Sequence, residues 1–418
     1  MSYKNIFILD TGKEWGGGTN SLIELLKRMD KSRYEFSAVF YNNYKMGKDS
    51  DIKTEMEKLG CKFILIEQTS QKVYLKILKE VTRLALFFSK GLKKGAIFYL
   101  DYLFRILPDS DKIAALIRDG GCDLLYMNNQ PSSNLEGILA AKALNLKCIQ
   151  HSRIDVNLNL FEADAVNSGV SKVICVSKGV MDSLVRSGVS PQKCAVVYNG
   201  IAPDMKPMTD ASEIRRMYGI NDDDILIGTV GSLIKRKRIN DLIDALATLQ
   251  FQNSGDKTNP PCPPLLKVGE GGLKCIIVGD GPERENLKKR VLQKGLKEKV
   301  MFTGFQSDAI SHINAMDIFA LPSEKEGLPR VILEAMLMAK PVVACNVTGS
   351  SELVIDGETG FLVSVKGTDM LANALLKLAA SDDLRRRMGE KGRMRIIERF
   401  TIDKYVTGVS NIFEEVLA

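Results

Sequence analysis

Short apolar runs alternate with amphipathic stretches along most of the chain. NIFIL (5–9) reads as a strand. A glycine-rich turn follows, and TNSLIELLKRM (19–29) then sets Leu22, Leu25, Leu26 and Met29 on one helical face. Further strand-like runs before residue 200 are FSAVFY, CKFILI, CDLLYM, KCIQ, KVICV and CAVVY. ILIGTVG, KCIIVG, VMFTG, DIFALPS, PVVAC and GFLV follow after it. Strands interleaved with helices predict parallel α/β sheets, and their number fits two sheets better than one. YNGIAPDMKPM (198–208) carries a turn signature and two prolines and is the expected linker. The predicted domains are therefore 1–198 and 199–399, followed by a last helix within 400–418. NSGDKTNPPCPPLLKVGEGGL (253–273) interrupts the pattern with four of the chain's 13 prolines and reads as an inserted surface loop.

Composition narrows the class. A chain of 418 residues exceeds one ordinary core. No apolar run approaches the roughly 18–20 residues of a membrane span. The apolar stretch Ile6–Leu9 is too short for a signal peptide. Eight scattered cysteines, with no C-x-x-C pair, read as free thiols in a reducing cytoplasm. Charge is concentrated in one place. Residues 72–107 hold eight Lys/Arg and two acids, interleaved with Phe, Tyr and Leu, in a chain of net charge +7. Such a stretch fits helices lying on anionic lipid, or two core helices with solvated basic faces. No motif for binding DNA or RNA appears.

EKEGLPRVILEAM (324–336) carries the most chemistry. After the strand DIFALPS and a short loop, the spacing predicts a helix from Leu328, with Pro329 in its first turn. The free N–H groups of residues 327–331 would point into the crevice beyond a strand's carboxyl end, where phosphate is attracted. Glu326 lies ahead of that nest. Glu334 lies two turns along, where it could accept bonds from vicinal hydroxyls. An acid, a phosphate nest and a second acid suit a sugar, a diphosphate and a ribose.

These motifs, taken as a set, resemble the retaining glycosyltransferases of the GT-B fold, family 4. The resemblance rests on Glu326 and Glu334 in E-x7-E spacing, AKPVVAC (339–345), TGSSELV (348–354), DGETGFLV (356–363), VGSLIKRK (230–237), GDGPE (279–283) and YNGI (198–201). It implies two Rossmann-like doubly wound domains facing a cleft. The first would be on the acceptor side, with the last helix packing back on it. The second would bind a nucleotide sugar. It further implies that Glu334 binds the ribose, that Glu326 contacts the donor sugar, and that the backbone of Gly327, Leu328, Pro329, Arg330 and Val331 holds the diphosphate. Lys237 falls where the family lysine neutralises that diphosphate. Ser232 stands where the family usually has arginine, and serine cannot grip phosphate bidentately. Lys235 or Arg236 could substitute from the same loop.

In the first domain, WGGGTN (15–20) matches the family's glycine loop. Gly16, Gly17 and Gly18 allow close backbone approach, and Thr19 is a candidate helix cap. His151, in IQHSR, matches the family histidine near the donor sugar. Arg153, Asn128 and Asn129 are acceptor-side candidates, and His312 reads as a helix residue. The D-x-D runs Asp49–Asp51 and Asp109–Asp111 sit in expected polar turns and are not assigned as metal sites; no metal or other cofactor is expected.

The implied function is retaining transfer of a hexose-type sugar, from a UDP-sugar in the first instance, to a hydroxyl of a glycan or glycolipid. The expected location is cytoplasmic, or peripheral on the inner face of the membrane. Ser232 and the altered glycine turn Gly349-Ser350-Ser351 keep open a weakly catalytic binding subunit, and the shared fold keeps open a UDP-sugar epimerase. A Rossmann oxidoreductase would need the G-x-G-x-x-G fingerprint that is missing here.

Overall fold

The computed structural model describes residues 3–12, 15–47, 50–70, 72–253 and 272–418. Of the insertion expected at 253–273, all but Asn253, Gly272 and Leu273 lies outside them.

The chain forms two compact units. The first comprises Met1–Cys175, Met181–Val196 and Gly408–Ala418, and the second Val176–Val180 and Val197–Thr407. Unit one is built on seven parallel strands. β1 is Lys4–Asp10 and β2 Tyr34–Phe40; a small antiparallel ribbon, β3 (Lys45–Met46) and β4 (Ser50–Asp51), stands apart from the sheet. β5 is Lys62–Leu65, β6 Leu124–Asn128, β7 Cys148–Ser152, β8 Lys172–Cys175 and β9 Cys194–Val196. The sheet order is β5-β2-β1-β6-β7-β8-β9. Unit two contains β10 (Ile225–Val230), β11 (Leu273–Val278), β12 (Val300–Gly304), β13 (Ile318–Leu321), β14 (Val342–Cys345) and β15 (Gly360–Val363), in the order β12-β11-β10-β13-β14-β15.

Helices cover both faces of a parallel sheet, so its central strands read as unbroken apolar runs. Ile6, Ile8 and Leu9 of β1, and Phe319 and Ala320 of β13, are wholly buried. Each order reverses once, at β1/β6 in unit one and at β10/β13 in unit two. Ligands of open α/β sheets bind beyond the strand ends at such a switch point. Asp10 pairs with Asn128 at the first. The loops that follow Val230 and Leu321 meet at the second.

The last helix, Ile402–Leu417, contributes its residues from Gly408 onward to unit one. There Phe413 packs edge-on to Tyr34 and against Tyr126. Two ion pairs, Arg33–Glu414 and Lys172–Glu415, flank it. Val176–Val180 join unit two, which no local pattern predicts. The Glu352 carboxylate holds them, accepting from the backbone N–H of Lys178 and of Gly179, both at 2.9 Å.

Candidate functional site

The second-unit site is assembled from loops on the two strands at the switch point. After β10, Gly231, Ser232 and Leu233 run alongside the 279–281 loop. Leu233 N–H donates to Asp280 C=O at 2.8 Å, and Gly231 N–H to Val278 C=O at 2.9 Å. Gly279 has φ +133, and a Cβ there would stand 2.0 Å from the Gly231 carbonyl oxygen. This close approach explains why GDGPE carries a glycine at that place. A 3-10 turn, Lys235–Lys237, follows, and Arg238 then takes a left-handed conformation (φ 51). Its guanidinium grips Asp241 with two bonds, of 2.7 and 2.9 Å, which fixes the turn.

The turn places Lys237 Nζ 2.7 Å from Glu326 Oε1. Both side chains are nearly enclosed, at 12% and 9% exposure. Arg236 donates to Lys325 C=O at 3.0 Å and lies 4.0 Å from Glu326 Oε2. Lys235 instead lines a groove of about 500 Å³ with Ile234, Arg238, Glu283 and Arg290. Of the two residues proposed to replace the missing arginine, Arg236 is therefore the one beside Glu326. Ser232 is half-buried.

The helix begins later than expected. It spans Arg330–Leu337, and Pro329, with ψ 112, is its N-cap. Asn199 Nδ2 donates to Leu328 C=O at 3.1 Å, which holds Leu328 in the preceding loop and explains the shift. Gly327 and Val331 stand on either side, so the five nest residues follow Glu326 without a break. Gly349, at φ +78, lies against this loop: a Cβ there would be 2.0 Å from the Gly327 carbonyl oxygen. Gly349→Ala should thus displace Gly327, costing at least about 2 kcal/mol of stability and weakening nucleotide binding. Thermal melting with and without UDP checks both effects.

Glu334 is buried, and its Oε1 accepts from Arg330 Nε at 2.9 Å. Burial raises its carboxyl above the ordinary value, against the pull of Arg330. The sequence reading took Arg330 only for its backbone; its side chain orients Glu334. Ser323 Oγ, in the loop after β13, Arg330 Nη1, at the start of the helix Arg330–Leu337, and Ser350 Oγ, at the start of the helix Ser350–Leu353, are buried without a hydrogen-bond partner among the described residues. Ser323 was not singled out from the sequence; a serine in a turn carries no distinguishing signal.

In unit one, Asp10 is the centre of a second polar cluster, which sequence reasoning also missed. Its carboxylate accepts from Asn128 Nδ2 (2.6 Å), Asn129 Nδ2 (2.9 Å) and Gly12 N–H (2.7 Å). Arg153 Nε donates to Asn128 Oδ1 at 2.8 Å. Burial raises the Asp10 pKa; the amide donors and Arg153 work in the other direction. Asn129 adopts φ 139, a strained conformation for a residue other than glycine. The glycine loop opens the helix Gly17–Arg28, with Gly16 at the N-cap. Gly18 lies beside Arg153. Thr19 is not the cap: it lies inside the helix, its hydroxyl 3.2 Å from Tyr44 Oη.

His151 is wholly buried in β7 and faces the Tyr126 hydroxyl through Nδ1. Desolvation, with nearby Arg153 in the same direction, holds its pKa well below the usual imidazole range. His312 lies in the helix Ala309–Ala315, near Tyr218 Oη and the Asp308 carbonyl. Of the D-x-D acids, Asp109 is not in a polar turn: it is buried in the helix Leu107–Asp119 and accepts from Thr69 N–H and Oγ1. Asp51 caps the helix Ile52–Lys58, and Asp49 lies outside the described residues.

Two parallel-sheet units with loop sites at their switch points match solved structures of one fold. The structure of Anabaena Alr3699/HepE in complex with UDP and glucose superposes with a TM-score of 0.75, covering 99% of this chain and 100% of that one at 22% identity. The fold is GT-B. The model of the glycosyl transferases group 1 family matches residues 210–395, and that of Glycosyltransferase Family 4 matches residues 15–205. The chain belongs to the family 4 glycosyltransferases. It is 29% identical over 230 residues to the N-acetyl-alpha-D-glucosaminyl L-malate synthase of Bacillus anthracis, covering 55% of this chain and 56% of that protein. It is 31% identical over 209 residues to the alpha-D-kanosaminyltransferase of Streptomyces kanamyceticus, covering 49% of each. The chain thus spans about half the length of the curated relatives it matches.

Proposed function

We propose that the protein transfers a hexose-type sugar from a UDP-sugar to a hydroxyl of a glycan or glycolipid, with retention at the anomeric carbon. The observation that carries this reading is the Lys237–Glu326 pair, set 2.7 Å apart ahead of a helix N-terminus that is followed by buried Glu334. Glu326 would take a hydroxyl of the donor sugar. Released from Glu326, Lys237 would move its charge to the diphosphate, where Arg236 and the N–H groups of Gly327, Leu328, Arg330 and Val331 complete the nest. Glu334, oriented by Arg330, would accept from the ribose hydroxyls.

The reaction breaks the bond between C1 of the sugar and the diphosphate oxygen. Lys237 and the backbone donors stabilise the charge that develops on the leaving group. The acceptor oxygen bonds to C1 from the same face, and its proton passes to the departing diphosphate. No metal is needed in this scheme, because lysine, arginine and helix N–H groups supply the counter-charge. The HepE complex contains UDP and glucose, which supports UDP as the first donor base to test. The Asp10 cluster, with Asn128, Asn129 and Arg153, is the proposed acceptor side. For a lipid-linked acceptor, the protein would work as a peripheral protein at the cytoplasmic face of a membrane. Arg236 beside Glu326 favours an enzyme over a binding subunit.

The test is UDP release from UDP-glucose, UDP-galactose and UDP-N-acetylglucosamine, with and without a bacterial membrane extract. Proton NMR of the product gives the anomer. Acceptor-dependent release with an α-linked product supports the proposal. Donor conversion to another free UDP-sugar without acceptor would establish the epimerase instead.

A further inference from the structure

The helices Val73–Ala85 and Lys90–Asp101 present their apolar residues outward. On the first, Val73, Tyr74, Ile77, Val81 and Leu84 are all more than half exposed, whereas Leu75 and Lys79 are the buried residues. Spacings of three and four put 73, 77, 81 and 84 on one stripe. The stripe continues through Phe87 and Phe88 in the turn, at 76% and 68% exposure, to Leu92 and Tyr99. More than half of the exposed large apolar side chains among the described residues lie between 73 and 104. A patch of this kind marks an interaction surface.

The exposure does not come from loose packing. Lys79, only 8% exposed, pairs with Asp101 and joins the two helices. Phe98 and Tyr102 both pack on Phe161. The inner side of the hairpin is thus fixed, and its apolar side is left uncovered.

Charge identifies the occupant. Lys72, Lys76, Arg83, Lys90 and Lys94 are exposed around the stripe, and Glu80 is the one exposed acid between 72 and 101. A second copy of the chain would bring like charge against like. We propose that this hairpin docks on an anionic lipid surface, with Phe87, Phe88 and the 73–84 stripe entering the interface and the lysines meeting lipid phosphates. No described helix is long and apolar enough to cross a membrane, so the contact is interfacial. Docking does not depend on the transfer reaction; it adds the surface from which a glycolipid acceptor would be drawn.

Vesicle flotation of the full chain tests this, using phosphatidylcholine alone and phosphatidylcholine with phosphatidylglycerol in equal parts. The wild type should float with the mixed vesicles and not with the neutral ones. F87S/F88S should lose at least about tenfold in binding, and so should Lys90→Glu/Lys94→Glu. High salt should release the wild type. UDP-induced stabilisation should be the same in both variants as in the wild type, because the changed residues lie in the other unit. A wild type that stays soluble with mixed vesicles would overturn the proposal, as would F87S/F88S floating undiminished. A wild-type dimer that F87S/F88S dissociates would overturn it too, by giving the face to a second copy. Flotation without any UDP stabilisation would support docking and sink the transfer reading.

Discussion

Lys237→Ala should lower kcat for UDP release from a UDP-sugar by at least about 100- to 1,000-fold, the usual loss for one preorganised donor to a developing charge. The loss should fall mainly on kcat, since the charge on the leaving group appears only as the bond breaks. Lys237 is held for this task. Its side chain is 12% exposed and its ammonium is bonded to Glu326, on a turn locked by the Arg238–Asp241 pair. The variant should still fold, because Arg236 remains 4.0 Å from the Glu326 carboxylate and keeps it from being an isolated buried charge. Lys237→Arg should recover part of the rate, limited by the wider guanidinium. Steady-state kinetics with melting curves would check this. A variant within threefold of the wild type would remove Lys237 from the chemistry.

Glu334→Ala and Glu334→Gln should part company. Alanine leaves the 7% exposed Arg330 guanidinium without its carboxylate, and breaking a buried pair costs about 3–5 kcal/mol. A lost nucleotide response in that variant would mix a damaged site with a damaged fold. Glutamine keeps an acceptor for Arg330 but presents an amide where two ribose hydroxyls need a carboxylate. It should melt closer to the wild type and still lose UDP affinity. The comparison also carries a pH signature. Burial raises the folded-state pKa of Glu334 above the ordinary glutamate value of 4.5, so its contribution to stability is full below that value and falls as pH rises through the folded pKa. Glutamine does not titrate. The wild type's stability relative to Glu334→Gln should therefore decline as pH rises above about 4.5 and level off beyond the folded pKa. Urea unfolding of both proteins across this range would measure it, and a gap that widened with pH would contradict it.

These residues also show what could be read from the chain. The Glu326–Glu334 interval was legible because a glycine, a proline and a helical apolar stripe lie between them, so local rules fix their relation. The partnership of Lys237 with Glu326 joins residues 89 apart and depends on β10 and β13 being neighbours, which no local pattern states. The motif resemblance supplied that link. Asp10 was passed over because it closes the apolar run FILD, and only the register with Asn128 reveals its amide partners. His151 was legible only through its motif; its contact with the Tyr126 hydroxyl comes from the pairing of β6 with β7. The 72–107 segment was recognisably amphipathic and basic. Periodicity gives a stripe without saying which way it faces, and here the interior took Leu75 and Lys79.

The central claim is that the loops after β10 and β13 hold a nucleoside diphosphate. Calorimetric titration of UDP into the wild type, Lys237→Ala and Glu334→Gln addresses it most directly, with folding of each verified by melting. The expected result is one site on the wild type and affinity weakened about tenfold or more in both variants, or roughly 1.4 kcal/mol each. Equal affinity in all three proteins, or no binding of either UDP or GDP by the wild type, would contradict the assignment.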